Sequence, residues 1–203
     1  MNFEIINPFG PSVVKTVIPK EIVSNMNLYV DEIINDKKKL ENLDYGASLA
    51  GNVQQEFRLD VEFMKKNNWA EFLGKSCQKW LAEGHNISIK NFEIISSWIV
   101  RQFKNEYNPI HYHEGQLSGV GYLRIPKDMN QNKLVKNKKF KTNGTIDFIN
   151  GQTHFLSKSI YNLNPKLGDL LIFPNYLMHT AYPFNVDGER RSFSFNAKII
   201  IKK

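Results

Sequence analysis

Cysteine is almost missing from this chain: Cys77 is the only one among 203 residues. No disulfide can form within the chain, and a reducing, cytoplasmic setting is the expectation. Long apolar runs are missing as well, and none approaches the ~20 residues that span a bilayer. The opening residues, Met1-Asn2-Phe3-Glu4-Ile5-Ile6-Asn7-Pro8, have neither a basic stretch nor a long apolar core, so they do not read as a secretory signal. No internal repeat and no linker-like segment interrupts the chain. A single domain over 1–203 is expected, with a helical part over 1–85 and a β-rich part over 86–203. Aromatic residues are plentiful, with 14 Phe and 8 Tyr, which argues against a disordered chain. A chain of this length can bury a sizeable core without disulfide or metal staples.

The formal net charge is +7. Six lysines (Lys127, Lys133, Lys136, Lys138, Lys139 and Lys141) account for nearly all of it, and without them the balance falls to +1. The charge therefore belongs to one segment, 127–141, read as a solvated loop between two strands. The alternative is a loop that meets an acidic substrate or nucleic acid. No nucleic-acid-binding motif and no aromatic–basic stripe supports it.

One or two entry strands are expected over 3–17, and then two helices. Ile22, Met26, Tyr29/Val30 and Ile33 follow a helical stripe, with Pro19 at its start and Lys37-Lys38-Lys39 at its C-terminal end. After a loop over 44–60, a second helix should run from Asp60, as N-cap, to Glu83, with Gly84 ending it and Cys77 buried on its apolar stripe. Beyond His85 the texture becomes β. Strands are expected at 87–89, 92–103, 117–125, 145–148, 154–161, 169–173 and 192–201, separated by Asn-Pro, Asn-Gly, Pro-Asn and Asp-Gly turn formers. The prediction is a mainly β, α+β fold whose core is a jelly roll supported by N-terminal helices.

Five histidines are present. His85 follows a helix-ending glycine and His154 sits among polar residues, so both read as structural. His111 and His113 are two apart, and residues i and i+2 of a strand share a face. Such a pair either clamps a metal or is structural. Near the C-terminus, Arg190, Ser192, Ser194 and Asn196 alternate with Arg191, Phe193 and Phe195. An inward arginine beside a serine suits a bound carboxylate; otherwise Arg190 meets a protein carboxylate or solvent.

Taken in order, these residues carry a resemblance. His111-x-His113, Ser118-Gly119-Val120-Gly121-Tyr122-Leu123, Gly144-Thr145-Ile146-Asp147-Phe148, Gly168-Asp169-Leu170-Leu171-Ile172-Phe173-Pro174, His179 and Arg190-x-Ser192 together resemble the Fe(II)- and 2-oxoglutarate-dependent oxygenases. The pattern is similar to that of the small bacterial and phage members of prolyl 4-hydroxylase type. The resemblance implies a double-stranded β-helix (jelly-roll, cupin-like) core and a dioxygenase using Fe(II), 2-oxoglutarate and O₂. Hydroxylation of a protein side chain such as proline, or of a small metabolite, would release succinate and CO₂. It implies that His111 and His179 bind iron and that Arg190, helped by Ser192, holds the far carboxylate of 2-oxoglutarate. Tyr122 is a further candidate for that carboxylate, and Asn196 a weaker one.

One position departs from the family pattern, in which the second residue of the clamp is a carboxylate. Here it is His113. Either three histidines hold the metal, or Glu114 reaches it through a bulge, or His113 stands outside an incomplete site; the first is the reading adopted. A cupin-like three-histidine enzyme that does not use 2-oxoglutarate would explain His113 but leave Arg190 without a role. A non-enzymatic jelly-roll module would explain neither. The Lys-, Asn- and Ile-rich usage fits an AT-rich genome, that of a phage or of a marine bacterium; in the first case the expected setting is a host cytoplasm. Oligomeric state leaves no mark on the sequence.

Overall fold

The structure, a computed structural model, describes residues 3–6, 10–129 and 142–202. Most of the lysine-rich segment lies outside the described residues. Two short strands, β1 (Phe3–Ile6) and β2 (Val13–Val17), open the described chain and lead into helix α1 (Lys20–Ile34). Ile22, Met26, Val30 and Ile33 of α1 are buried, as its stripe requires.

The expected end of this helix is corrected by a second one, α2 (Lys37–Leu43). Asp36 turns extended and its side chain accepts from the Lys39 backbone N–H. The three lysines thus open α2 instead of closing α1; the cap outweighs their unfavourable place at a helix N-terminus. The expected loop over 44–60 holds a strand, β3 (Gln55–Arg58). The helix expected from Asp60 is two helices, α3 (Val61–Lys66) and α4 (Trp69–His85). Asn68, at φ 57°, breaks them apart; asparagine is among the few residues that tolerate the left-handed region. Asp60 caps α3 as anticipated, but Asn86, not Gly84, terminates α4 in a left-handed cap.

Eight strands follow among the described residues: β4 (Ile89–Gln102), β5 (Asn108–His111), β6 (Leu117–Arg124), β7 (Ile146–Ile149), β8 (Ile160–Leu163), β9 (Asp169–Pro174), β10 (Met178–Ala181) and β11 (Arg190–Ile201). The strand expected over 154–161 is mostly turn: His154 bridges to Ser157, Phe155 and Leu156 are exposed, and only the end belongs to β8. β5, expected only as the strand of the His111 and His113 pair, and β10, not expected, pair with each other.

A seven-stranded sheet in the order β1-β2-β9-β6-β11-β4-β3 faces a four-stranded sheet in the order β5-β10-β7-β8. All strand pairs are antiparallel, giving the expected jelly roll with helices on its outside. The period-two alternation of the larger sheet serves two layers. Leu170, Ile172, Phe193 and Phe195 face the helices and join Met26, Trp69, Leu73 and Trp80 in one core. Leu171, Phe173 and Tyr122 face the smaller sheet and pack with Ile146, Phe148 and Leu177. Gly119 and Gly121 of β6 sit beneath the rings of Phe195 and Phe193. A Cβ at either position would enter those rings, which explains the two glycines within an otherwise continuous strand.

Arg191 points to the helix side and is fully buried. It donates to Glu189 and to Asp31 of α1, at 2.7 Å each, and to the Asn27 side chain at 3.0 Å. Arg101 and Arg124 also donate to Glu189. Burial alone would raise the Glu189 carboxyl. The hydrogen bonds and charges of Arg191 and Arg101 outweigh it and hold the group at about 2 instead of 4.5. Breaking a buried ion pair strands the remaining charge. In Arg191→Met, Glu189 keeps Arg101 and Arg124, so the unfolding free energy in urea should fall by about 3 kcal/mol, the lower end of the range for a broken buried pair. A carboxyl depressed on folding contributes stability above its unfolded pKa and loses it as it protonates. Wild-type stability should fall between pH of about 4.5 and about 2, and this acid dependence should flatten in Arg191→Met.

Candidate metal centre

Three of the five histidines converge. The ligand-capable nitrogens of His111, His113 and His179 all lie within 4.8 Å of one another. His111 ends β5 and stands opposite His179 of β10 in the ladder, so strand pairing alone brings these two rings together, tilted by 54° with 4.3 Å between centroids. His113 lies beyond the end of β5, which corrects the expectation that strand alternation holds the clamp. Asn175 places it instead: its carbonyl accepts from the His113 N–H at 3.0 Å, and its side-chain amide donates to the His113 carbonyl at 3.0 Å.

Two backbone carbonyls orient the rings. Nδ1 of His111 donates to the Pro109 carbonyl at 2.7 Å, and Nδ1 of His179 donates to the Leu177 carbonyl at 2.9 Å. A carbonyl can only accept, so each Nδ1 carries the proton and each Nε2 keeps a lone pair. Burial, followed by the neighbouring rings, lowers the pKa of His179 well below its ordinary value. Burial likewise lowers His111, and burial with the His111 charge brings His113 down to about 3. The neutral, ligand-ready form is favoured in all three.

Nε2 of His113 and Nε2 of His179 stand 3.1 Å apart. Without a metal, His113 Nε2–H can donate to the lone pair of His179 Nε2; with His113 in the other tautomer, both nitrogens offer lone pairs that a cation can share. Two nitrogens bound at right angles to one metal, each at ~2.1 Å, would be ~3.0 Å apart. A borderline divalent metal such as Fe(II) or Zn(II) accepts neutral imidazoles, so the donor set fits such an ion. Glu114 is exposed and is not a member of the cluster.

The cluster forms one wall of a cavity of about 200 Å³. The facing wall is the large sheet, where Tyr122, Arg190, Ser192 and Ser194 line the cavity. Arg190 is buried, and its guanidinium donates to the Gly144 carbonyl at 2.7 Å and to the Gln102 side chain. Both acceptors are uncharged. Burial pulls its pKa down from the ordinary value, and Tyr122 opposes that shift. The Tyr122 phenol is pushed up to about 12, chiefly by burial, so it remains a protonated donor. Asn196 lies elsewhere and accepts from Ser118 at 2.8 Å. His85 is likewise remote, bonded to Ser12, which also accepts from Trp80. Asn175 and the two carbonyls escaped the sequence reading, because Asn175 and Pro109 stand in turn-forming pairs that carry no metal signal.

A model of the family described as "Putative 2OG-Fe(II) oxygenase" matches residues 96–196, about half of the chain. The chain belongs to the 2OG-Fe(II) oxygenase family. Its members are Fe(II)- and 2-oxoglutarate-dependent oxidoreductases, and membership sets aside both rival readings, the cupin-like enzyme and the non-enzymatic module. Solved structures share the fold of this oxygenase. A prolyl-4-hydroxylase of Pseudomonas putida superposes with a TM-score of 0.59 at 11% identity, over 94% of this chain and 93% of that one. The viral collagen prolyl hydroxylase of Paramecium bursaria Chlorella virus-1, solved with 2-oxoglutarate, gives 0.56 at 14% identity, over 94% and 96%. HygX of Streptomyces hygroscopicus, solved with nickel, 2-oxoglutarate and hygromycin B, gives 0.56 at 13% identity, over 94% and 83%. Among curated proteins none matches the chain.

Groups that only orient a ligand typically carry ~10–100-fold in metal affinity. Asn175→Ala removes one of the two bonds that hold His113 and leaves every imidazole in place. It should weaken Co(II) binding, followed by its visible absorption, about 10-fold.

Proposed function

We propose that His111, His113 and His179 hold the Fe(II) of this oxygenase, and that Arg190, Ser192 and Tyr122 hold the far carboxylate of 2-oxoglutarate. The observation that carries the reading is a buried arginine with only neutral partners, facing three neutral imidazoles across one small cavity. A buried cation without a counter-charge is costly. A carboxylate arriving between Arg190, the Ser192 hydroxyl and the protonated Tyr122 phenol would supply that charge and accept from all three.

The Fe(II) that His111, His113 and His179 would hold would supply the chemistry, binding the keto-acid end of the co-substrate and activating O₂ for attack on a substrate C–H bond. The chain's own part is positional. The Pro109 and Leu177 carbonyls keep the His111 and His179 rings in one tautomer. Arg190 fixes the length and direction of the co-substrate from the opposite sheet. Phe173 stacks edge-on against His179, with ring centroids 4.8 Å apart, and Phe148 lies at 6.0 Å; Trp98 lies 5.5 Å from His113. These rings keep water from the metal face and leave the cavity mouth for the substrate.

Hydroxylation is the proposed outcome, on a protein side chain such as proline or on a small metabolite. Likeness in fold to two prolyl hydroxylases supports the first and likeness to HygX the second. Because the apolar faces of α1 and α4 enter the core they share with the large sheet, the helical part is proposed to act with the barrel as one domain.

Anaerobic titration of the Fe(II) protein with 2-oxoglutarate, followed by the visible charge-transfer band of the chelate, tests the assignment. Arg190→Ala removes a buried charge-assisted contact worth about 3 kcal/mol, so half-saturation should rise about 100-fold. An unchanged half-saturation would remove Arg190 from the co-substrate site.

A further inference from the structure

The buried carboxyls divide into those with partners and one without. Among the described residues four carboxyls are buried: Glu56, Asp147, Asp169 and Glu189. Asp147 accepts from Asn162, Asp169 from Lys15 and the Lys166 N–H, and Glu189 from arginines. Glu56 is 4% exposed, yet among the described residues no N–H or O–H donor reaches its carboxyl. It is also the only acidic side chain among the described residues that line the cavity.

Strand register fixes its place. Glu56 of β3 stands opposite Val100 of β4, which stands opposite Ser192 of β11, which stands opposite Tyr122 of β6. Residues directly opposite one another share a face, so this row crosses the cavity floor. With strands ~4.8 Å apart, Glu56 lies about 10 Å from Ser192, two strands over. Arg190, Ser192 and Tyr122 occupy one end of the floor and Glu56 the other. Gly51 closes over that end: a Cβ there would stand 2.7 Å from Glu56 Oε1 and 2.6 Å from Asn108 Oδ1. A larger residue would fill the space in front of the carboxyl.

We infer that Glu56 is a specificity-determining residue that receives a cationic nitrogen, an ammonium or guanidinium, of the substrate. The inference rests on the oxygenase reading of the same cavity and names the substrate class for it. Among the described residues no donor reaches the carboxyl, Glu56 lines the cavity, and a protein cation would stand against it if the role were structural. Asp44 and Glu106 make the surroundings more negative still; after burial itself, they are what push Glu56 up to about 7. A cation seated there gains a charge-assisted hydrogen bond and offsets all three effects. A neutral or anionic group gains none of this.

Calorimetric titration with n-butylguanidinium and with n-butylurea, its uncharged counterpart, reads the preference directly. It is run on the anaerobic Fe(II)·2-oxoglutarate protein and repeated without metal. The guanidinium should bind about tenfold or more tightly than the urea. Glu56→Gln should erase the preference while keeping the chelate band, and should melt no lower than the wild type because no partner is stranded. Equal binding of the two probes, binding of neither, or a preference that survives Glu56→Gln overturns the inference. So does loss of the chelate band in Glu56→Gln, which would make the carboxyl a support of the metal. Absence of the band in the wild type would instead fault the oxygenase reading, since the preference is read separately in the metal-free protein.

Discussion

Neighbouring side chains of a strand point to opposite faces, and in β11 that constraint separates two adjacent arginines. Arg191 goes to the helix side, where Glu189 and Asp31 neutralise it and tie α1 to the sheet. Arg190 goes to the cavity side, where its acceptors are a carbonyl and an amide. One buried cation is neutralised by the protein; its neighbour has only neutral partners, and the proposed co-substrate site rests on that difference. A slip of one residue in the β4–β11 ladder would exchange these fates and also turn Phe193 and Phe195 out of the helix-facing core. The rings of those phenylalanines, seated over Gly121 and Gly119, therefore guard the register on which the cavity depends.

The opposite wall works by a similar economy of partners. His111 and His179 are set by backbone carbonyls two residues before each of them, so no side chain is needed to fix their tautomers. His113 takes the position of the expected carboxylate. The proposed site then gives Fe(II) no negative ligand of its own, and its charge would be balanced mainly by the 2-oxoglutarate dianion. Placed between Arg190 and such a metal, the co-substrate would be held from both ends by charge, and the only acidic side chain that lines the cavity among the described residues would stay free for another task.

Much of this was legible before the structure. The stripe of α1, the alternation of β11 and the grouping of His111, His113 and His179 depend on spacing or family pattern, both of which a sequence displays. What escaped was non-local. β5 begins with Asn108-Pro109, a turn former by composition, yet proline is tolerated at a sheet edge, and β5 is the edge strand beside β10. β3 is four residues with no clear alternation, and only its pairing with β4 makes it a strand. Glu56 inherits that obscurity: nothing near it in sequence marks it, and its neighbours across the floor come from residues 100, 192 and 122. Asn68 and Asp36, which break the helices, were visible as residue types, but their local hydrogen bonding and backbone choices were not.

The central claim is that three imidazoles and no carboxylate hold the iron. X-ray absorption at the iron edge of the anaerobic Fe(II) protein, compared with His113→Ala, measures this most directly. The account predicts imidazole scattering from three rings in the wild type and from two in the variant. A first shell with two imidazoles and a protein carboxylate in the wild type, unchanged in His113→Ala, would contradict it.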